Sequence, residues 1–352
     1  MKILVACNLS ANPYHGQLVN ALLKCDSIDT VQAGTNLFWM DNTIDYDILH
    51  FQWPEALFNQ KEPDHDQLMY FEKNLHSWKM KSRIVATVHN EHKHYADTDG
   101  YSRLYSMVYH NSDVLIHLGK ASIDKFNTRY QNRFTGRHVV IPHGDYSYYP
   151  NNVSRITARR WLSIDENKFM CLSFGQIRHR EELEYIVRGF YKFPHKNKFL
   201  IVAGKLAWPK KRYIRWYESV QKNFRIPLKI YDGFISDYHL QYFYNAADVA
   251  IIPRLRILNS GNVPLGFTFG KVVIGPNTGV IGEILKETGN PVFSPGDTTS
   301  MAHSLERAVT LVSQNKGEEN RRYSMENWNW NIIAKKHIEV YASLAVENVA
   351  VS

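Results

Sequence analysis

Two successive series of short apolar, β-branched runs limit what this chain can fold into more than any other feature. Lys2–Ala6, Asp47–Phe51, Arg83–Val88, Asp113–His117 and His138–Ile141 form the first series. After Pro150-Asn151-Asn152 the pattern restarts with Phe169–Phe174, Lys198–Ala203, Pro227–Tyr231, Asp248–Ile252 and Val272–Gly275. Each run is bounded by charge, proline or glycine, and helix-length segments separate most of them, as in buried parallel strands alternating with helices. Two such series predict an α/β chain with two doubly wound domains facing a central cleft. The 352 residues suit two domains of ~150–180 each. The expected division is a first domain over 1–155, a second over 156–327, and an amphipathic helical segment over 328–352 that starts near Trp328 and Trp330.

Composition narrows the class. With 44% hydrophobic and 22% charged residues the chain reads as globular rather than disordered. Cys7, Cys25 and Cys171 are odd in number and far apart, which points to buried thiols in a reducing compartment. The opening MKILVACNLS is too short in apolar residues for a signal peptide, and no run approaches a membrane span. The expectation is a cytoplasmic protein. Its formal charge of +8 invites nucleic acid, an anionic membrane surface or ligand phosphates as partners, with a merely solvated basic face as the bland alternative. No helix-turn-helix, RNP or zinc-finger signature supports nucleic acid. Peripheral docking to the inner face of a membrane carrying a lipid-linked acceptor is the preferred use of the charge. Its basic residues concentrate at Lys205, Lys210, Lys211, Arg212 and Arg215, and again at Arg254 and Arg256.

Parallel α/β sheets bind ligands beyond the carboxyl ends of their strands, so the loops there carry the chemistry. After the first run stand Asn8, Asn12, Pro13, Tyr14, His15 and Gly16, which is not the GxGxxG dinucleotide fingerprint. A turn histidine such as His15 is more often structural than catalytic. The second run ends in HFQWPE (50–55), where Trp53-Pro54 makes a stiff aromatic turn suited to stacking on a sugar, or simply packs. TVHN (87–90) places His89 and Asn90 where a ligand opening is expected, and an imidazole there can donate a hydrogen bond or take a proton. A zinc reading of His89, His92 and His94 lacks a partner at recognised spacing. IPHGDY (141–146) adds His143 in a fourth polar turn. In the second series FGQIRHREE (174–182) joins strand to helix: Gly175 allows a tight turn and Arg178 can reach an anion at the helix start. VAGK (202–205) puts Lys205 past the next strand, and two cations from adjacent strand ends suit a diphosphate. ADVAIIPR (247–254) leads through Asn259, Ser260, Gly261 and Asn262 into an apolar helix that Ser260 or Asn259 can cap.

Together these segments resemble the GT-B glycosyltransferases, particularly family 4 and its bacterial polysaccharide-synthesis relatives, over nearly the whole chain and most strongly from 170 to 285. The resemblance implies two Rossmann-like domains, acceptor side first and donor side second, with a C-terminal helix crossing back to the first. It matches His89 to the histidine beside the transferred sugar, Arg178 to the cation on the donor diphosphate, and Asn259–Asn262 to the helix start beneath that diphosphate. Phe234-Ile235 falls where the backbone meets the nucleobase. The chain departs from family 4 at its two glutamates: one position falls on Leu265 and the other near 257–259, none of them acidic. The usual lysine position is Glu181, with Arg180 or Lys205 as substitutes for its charge.

The implied activity is transfer of a hexose from a UDP- or GDP-sugar to an acceptor glycan hydroxyl in cell-surface polysaccharide or glycolipid assembly. No cofactor beyond the nucleotide-sugar donor is expected, and no metal, since DTD (97–99) lies in an acceptor-side loop. Trp53, Asn90 and His143 are the expected acceptor contacts. His89 would orient the sugar or assist charge development, while His15, Glu55 and Asp145 are undistinguished candidates for a base. A sugar-nucleotide epimerase and a non-catalytic nucleotide-sugar binder remain as alternatives.

Overall fold

The computed structural model describes residues 1–9, 12–40, 45–90, 98–134, 136–207 and 227–346. The described residues form two compact units, Met1–Gly144 with the segment from Trp328 onward, and Asp145–Asn327. The second unit begins at Asp145, ahead of the boundary expected at 155–156. The connecting residues are held there by its own groups: Tyr146 N–H donates to Thr268 Oγ1 at 3.1 Å, and the N–H groups of Asn152 and Val153 donate to Gln241 Oε1 at 2.9 and 3.1 Å.

In the first unit β1 (Lys2–Ala6), β2 (Thr30–Ala33), β3 (Ile48–Phe51), β4 (Arg83–Val88), β5 (Val114–His117) and β6 (Arg137–Val140) make one parallel sheet in the order β2-β1-β3-β4-β5-β6. The inner strands are buried on both faces, as their unbroken apolar runs require. Helices α1 (Pro13–Leu22), α2 (His65–Lys79), α3 (Asp99–Asn111) and α4 (Lys120–Tyr130) cross between strands. Pro13 at the first helical position and the Asn12 side chain, which accepts the Tyr14 N–H, set the start of α1. Tyr14, Leu18 and Leu22 of α1 share a core with Trp330, Ile333, Tyr341 and Leu344, which belong to the last described helix, Trp330–Val346.

The second unit carries β7 (Phe169–Phe174), β8 (Lys198–Ala203), β9 (Leu228–Tyr231), β10 (Val249–Ile251), β11 (Val272–Pro276) and β12 (Val292–Phe293) in the parallel order β12-β11-β10-β7-β8-β9. Its helices are α5 (Arg155–Leu162), α6 (Arg180–Lys192), α7 (Asp237–Ala246), α8 (Asn262–Thr268), α9 (Gly279–Glu287), α10 (Thr298–Ser313) and α11 (Lys316–Asn327), so the helix Trp330–Val346 is α12. Strands and α6 and α10 enclose a core of Cys171, Ile186, Phe190, Leu200, Val202, Ile251, Met301 and Leu305. No described helix is long and apolar enough to cross a membrane.

Sheet order identifies where each unit can bind a ligand. The chain leaves β1 for β2 on one side and returns to β3 on the other, and it brackets β7 with β8 and β10 in the same way. These reversals leave crevices beyond the carboxyl ends of β1 and β3, and of β7 and β10. At the second crevice the chain passes very close to itself. Gly204 has φ +146, and a Cβ there would run into the Gly175 carbonyl. Gly204→Ala should therefore cost the second unit at least about 2 kcal/mol, through strain and backbone displacement. Gly233→Ala, with nothing within 4 Å of the added carbon, should change stability by no more than about 0.5 kcal/mol. Urea denaturation of the two variants tests the contrast, and equal midpoints would contradict it.

Candidate functional site

At the first crevice the sequence places polar residues where a buried parallel strand should have none. His50 in β3 is fully buried, as is Thr87 in β4, and Gln52 follows β3 directly. They form a chain of hydrogen bonds. His50 Nδ1 lies 2.7 Å from Tyr341 Oη, and His50 Nε2 lies 2.8 Å from Thr87 Oγ1 and 3.1 Å from Gln52 Nε2. Gln52 Oε1 then lies 2.7 Å from His89 Nε2. An amide oxygen only accepts, so with the amide so oriented His89 carries its proton on Nε2 and leaves Nδ1 as an acceptor.

Aromatic rings surround this imidazole. Trp53 stacks on it with centroids 3.6 Å apart and planes 9° off parallel. Tyr14 stands edge-on at 5.0 Å, and also meets His143 at 4.9 Å and Trp330 at 5.3 Å. The His15 ring lies 4.9 Å from Trp53. Burial pushes His89 and His50 well below the usual imidazole range, and the neighbouring imidazoles, His15 first for His89, push the same way. Burial also lowers His15, against the opposing bond to the Asn8 carbonyl, and takes His143 down to about 4. At neutral pH these rings are uncharged and serve as hydrogen-bonding groups rather than general acids. Glu55 is buried, with Oε2 accepting the Tyr105 hydroxyl at 2.7 Å. Asn90 is buried too, and its carbonyl accepts from Tyr109 at 3.5 Å. The first unit thus gathers His15, Trp53, His89 and His143 around Tyr14. His92 and His94 lie outside the described residues, as does Asp97, while Thr98 and Asp99 begin α3. Among the described residues no group of three or more His, Cys, Asp or Glu could hold a metal ion.

At the second crevice the loops after β7 and β8 are zipped together. Ile177 N–H donates to the Lys205 carbonyl at 3.0 Å, and Ala207 N–H to the Ile177 carbonyl at 3.0 Å. This sets exposed Lys205 beside the segment carrying half-buried Arg178. Glu182, in the first turn of α6, accepts the Arg178 backbone N–H at 2.8 Å and Arg254 Nη1 at 2.7 Å, while Arg254 Nη2 donates to the Gln176 carbonyl at 2.7 Å. One carboxylate therefore takes both the Arg254 guanidinium and the Arg178 backbone N–H. Burial, and then the like charge of Arg254, draw Arg178 down to about 10. The arrangement carries net positive charge and suits an anion.

Asn262 Nδ2 donates to the Phe174 carbonyl at 2.7 Å and lies 3.4 Å from where a Gly175 Cβ would stand, tying α8 to the end of β7. Two expectations change here. The N-cap of α8 is Gly261, with no side-chain cap, rather than Ser260 or Asn259. Ser260 instead takes the Asn262 N–H on its hydroxyl at 3.2 Å and the Val263 N–H on its carbonyl at 3.3 Å, so those two N–H groups do not face outward. Arg180 turns back onto Glu184 at 2.6 Å, an i,i+4 pair on the exposed face of α6. Phe234, 89% exposed, and Ile235 lie between β9 and α7. Lys210, Lys211, Arg212 and Arg215 lie outside the described residues.

Sequence reasoning did not single out Gln52, His50, Tyr341, Glu182 or the pairing of Arg254. The first two left a signal, polar residues in and just after a run whose neighbours are all core. The others come from partners 72 and 291 positions apart.

Comparison with known proteins places the fold. No family model matches the sequence. An uncharacterized glycosyltransferase of Methanocaldococcus jannaschii is 25% identical over 198 residues, 53% of this chain and 48% of that protein, so the match spans about half the relative's length. Among solved structures, sucrose-phosphate synthase of Thermosynechococcus elongatus superimposes with a TM-score of 0.71 at 15% identity, covering 98% of this chain and 99% of that one. HepE of Anabaena, solved in complex with UDP and glucose, gives 0.69 at 13% identity over 97% and 100%. The chain has the two-unit, parallel-sheet GT-B fold of these glycosyltransferase neighbours.

Proposed function

We propose that this protein is a glycosyltransferase that moves a hexose from a nucleoside diphosphate sugar to a glycan hydroxyl, in polysaccharide or glycolipid assembly. The observation that carries the reading is the cationic crevice of the second unit, where Glu182 holds the Arg254 guanidinium and the Arg178 backbone N–H beside Lys205. A diphosphate leaving group gains negative charge as its bond to the sugar breaks, and fixed cations stabilise that change. Arg178 and Lys205 take the diphosphate, with Gly175 and Asn259–Asn262 lining its approach, Arg180 at the rim and Phe234-Ile235 beside the base. His89 and His143 accept or donate to sugar hydroxyls, Asn90 supports them, and Trp53 offers an apolar face. UDP is the first nucleotide to test, because a protein with this fold has been solved with it. The charge needed is available from side chains alone, so binding should not require magnesium. Use at the inner face of a membrane, on a lipid-linked acceptor, fits the net charge of +8.

A thermal-shift screen against UDP, GDP, ADP, TDP and their sugars, with and without magnesium, tests the reading. A ligand present at about 100 times its Kd stabilises the folded chain by about 2.7 kcal/mol. Arg178→Ala should weaken binding of the stabilising nucleotide about tenfold to a hundredfold, the worth of one charge-assisted hydrogen bond. An unchanged Kd in that variant removes the diphosphate assignment. A second reading, a non-catalytic binder, draws on the buried apolar residues Ile257, Leu258 and Leu265, where family 4 carries carboxylates. It predicts nucleotide binding with no transfer to any acceptor.

A further inference from the structure

We propose that the first unit carries a second ligand site, at the end of its sheet away from the crevice, and that this site takes a soluble sugar phosphate. The inference stands on the first unit alone and does not depend on the glycosyltransferase reading above.

All strands of the parallel sheet begin at that end, and α2 and α3 run down to it before β4 and β5 start. A cavity of about 250 Å³ opens there, bordered by Asp47, Lys79, Lys81, Ser82 and Arg83. Another, of about 360 Å³, is bordered by Lys79, Asp113, Gly136 and Arg137 and lies against buried Val114 and Leu344. Its size is that of a small-molecule site. Lys79 borders both cavities, so the two adjoin. The strands involved, β3, β4, β5 and β6, are successive neighbours in the sheet, and their first residues therefore stand about 5 Å apart from one strand to the next. Arg83 opens β4 and His89 follows its end, which puts about 20 Å of strand between this place and the crevice.

Four cations meet two carboxylates here. In KMKSR (79–83) every second residue is basic. Lys79 closes α2 and complements the negative end of that helix. Arg83 and Arg137 each open a strand, where no helix end calls for a cation. Both carboxylates are turned onto the backbone. Asp47 Oδ2 accepts the Lys2 N–H at 2.7 Å, and Asp113 Oδ2 accepts the Ile84 N–H at 2.8 Å, with Arg83 Nη1 3.5 Å from Asp113 Oδ1. The other cations meet neutral groups among the described residues. Lys79 Nζ lies 3.4 Å from Asn111 Oδ1, Lys81 Nζ lies 5.4 Å from the centre of the Trp78 ring, and Arg137 Nη2 donates to Ser343 Oγ at 2.6 Å. Their positive charge is thus left to a ligand, and a concave wall of one sign concentrates the field inside it.

The mixture of groups defines the ligand. Ammonium and guanidinium groups take a phosphate by charge-assisted hydrogen bonds. Asp47 and Asp113 would repel a bare polyanion, but an ionised carboxylate has lone pairs to spare and accepts hydroxyls readily. A hydroxyl-rich phosphate monoester satisfies both kinds of group at once. A recess of this size encloses a free sugar phosphate, whereas a phospholipid headgroup held in a bilayer needs a surface that lies open to the membrane.

Calorimetric titration of the full chain with glucose 6-phosphate at low ionic strength tests the site. Inorganic phosphate and glucose should each bind at least about tenfold more weakly, because each offers half of the recognised chemistry. The double variant Lys79→Gln with Lys81→Gln, both at exposed positions, should weaken glucose 6-phosphate about tenfold to a hundredfold, and Arg137→Gln should do the same. Arg178→Ala, in the second unit, should leave that affinity unaltered. An absence of binding overturns the proposal, as does affinity that survives both cavity variants or falls with Arg178→Ala. Inorganic phosphate or glucose binding as tightly as the ester removes the sugar phosphate assignment. Sedimentation of the chain with phosphatidic acid vesicles, lost in the double variant and unmatched by any binding of the soluble ester, would make a lipid phosphate the ligand and overturn the soluble one.

Discussion

Lowering the pH from 7 to 5 should remove at least about 4 kcal/mol of stability from the first unit, and nearly all of it comes from imidazoles. His117 and His337 are wholly buried, and desolvation takes them from 6.5 to about 3 and about 4. Both stay neutral in the folded chain across this range, whereas in the unfolded chain they protonate below about 6.5. The unfolded state then binds more protons, so stability is complete above pH 6.5 and declines as pH falls toward 4. At pH 5 each group contributes a loss of about 2 kcal/mol. His15, His50, His89, His138 and His143 are lowered too, and add in the same direction. All seven lie in the first unit. A typical domain holds about 5–15 kcal/mol in all, so this unit should melt first on acidification. Urea midpoints followed by tryptophan fluorescence at pH 7, 6 and 5 decide the matter, since Trp53, Trp78 and Trp330 report on it. A flat midpoint across that range contradicts the burial of these rings.

Glu182→Ala should cost the second unit about 3–5 kcal/mol and abolish nucleotide binding at the same time. The variant strips Arg254 of its ion-pair partner, a guanidinium 6% exposed beside a carboxylate 5% exposed, and frees the Arg178 backbone N–H that shapes the loop after β7. An uncompensated buried guanidinium is costlier than the pair is valuable. The double variant Glu182→Met with Arg254→Met should accordingly regain much of the stability without regaining binding. Chemical denaturation with a nucleotide titration on all three chains measures both quantities. If the double variant is as unstable as the single one, the cost lies in the loop geometry rather than in the stranded charge.

Much of the fold was legible because buried parallel strands are written as unbroken apolar runs. KILVA, RIVATV, FMCLSF and KFLIVA coincide with β1, β4, β7 and β8 to the residue. Strand β2 escaped because TVQA lies at the sheet edge, with only Val31 buried, so half of its residues are polar. Strand β12 has two residues, too few for any period to show. At the candidate site, local sequence reveals residue types beyond strand ends, which is how His89, Trp53, Arg178 and Lys205 came into view. It does not reveal which hydrogen-bond partner each ring meets. The tautomers of His15 and His89 are set by a backbone carbonyl and by Gln52, and the charge near Arg178 by a residue 76 positions further on. The Ser260 hydroxyl looked like a helix cap and instead closes its own loop, because Gly261 occupies the capping position.

The first unit is sewn shut by α12, whose Ile333, Tyr341 and Leu344 complete the core around α1. That has a consequence for the chain as it emerges from the ribosome. The whole of Asp145–Asn327 is made before α12, so the second unit can fold as an independent body while the first still waits for its closing helix. During that interval the apolar face of α1, with Leu18 and Leu22, lacks its cover, and the nascent first half is the natural client for a chaperone.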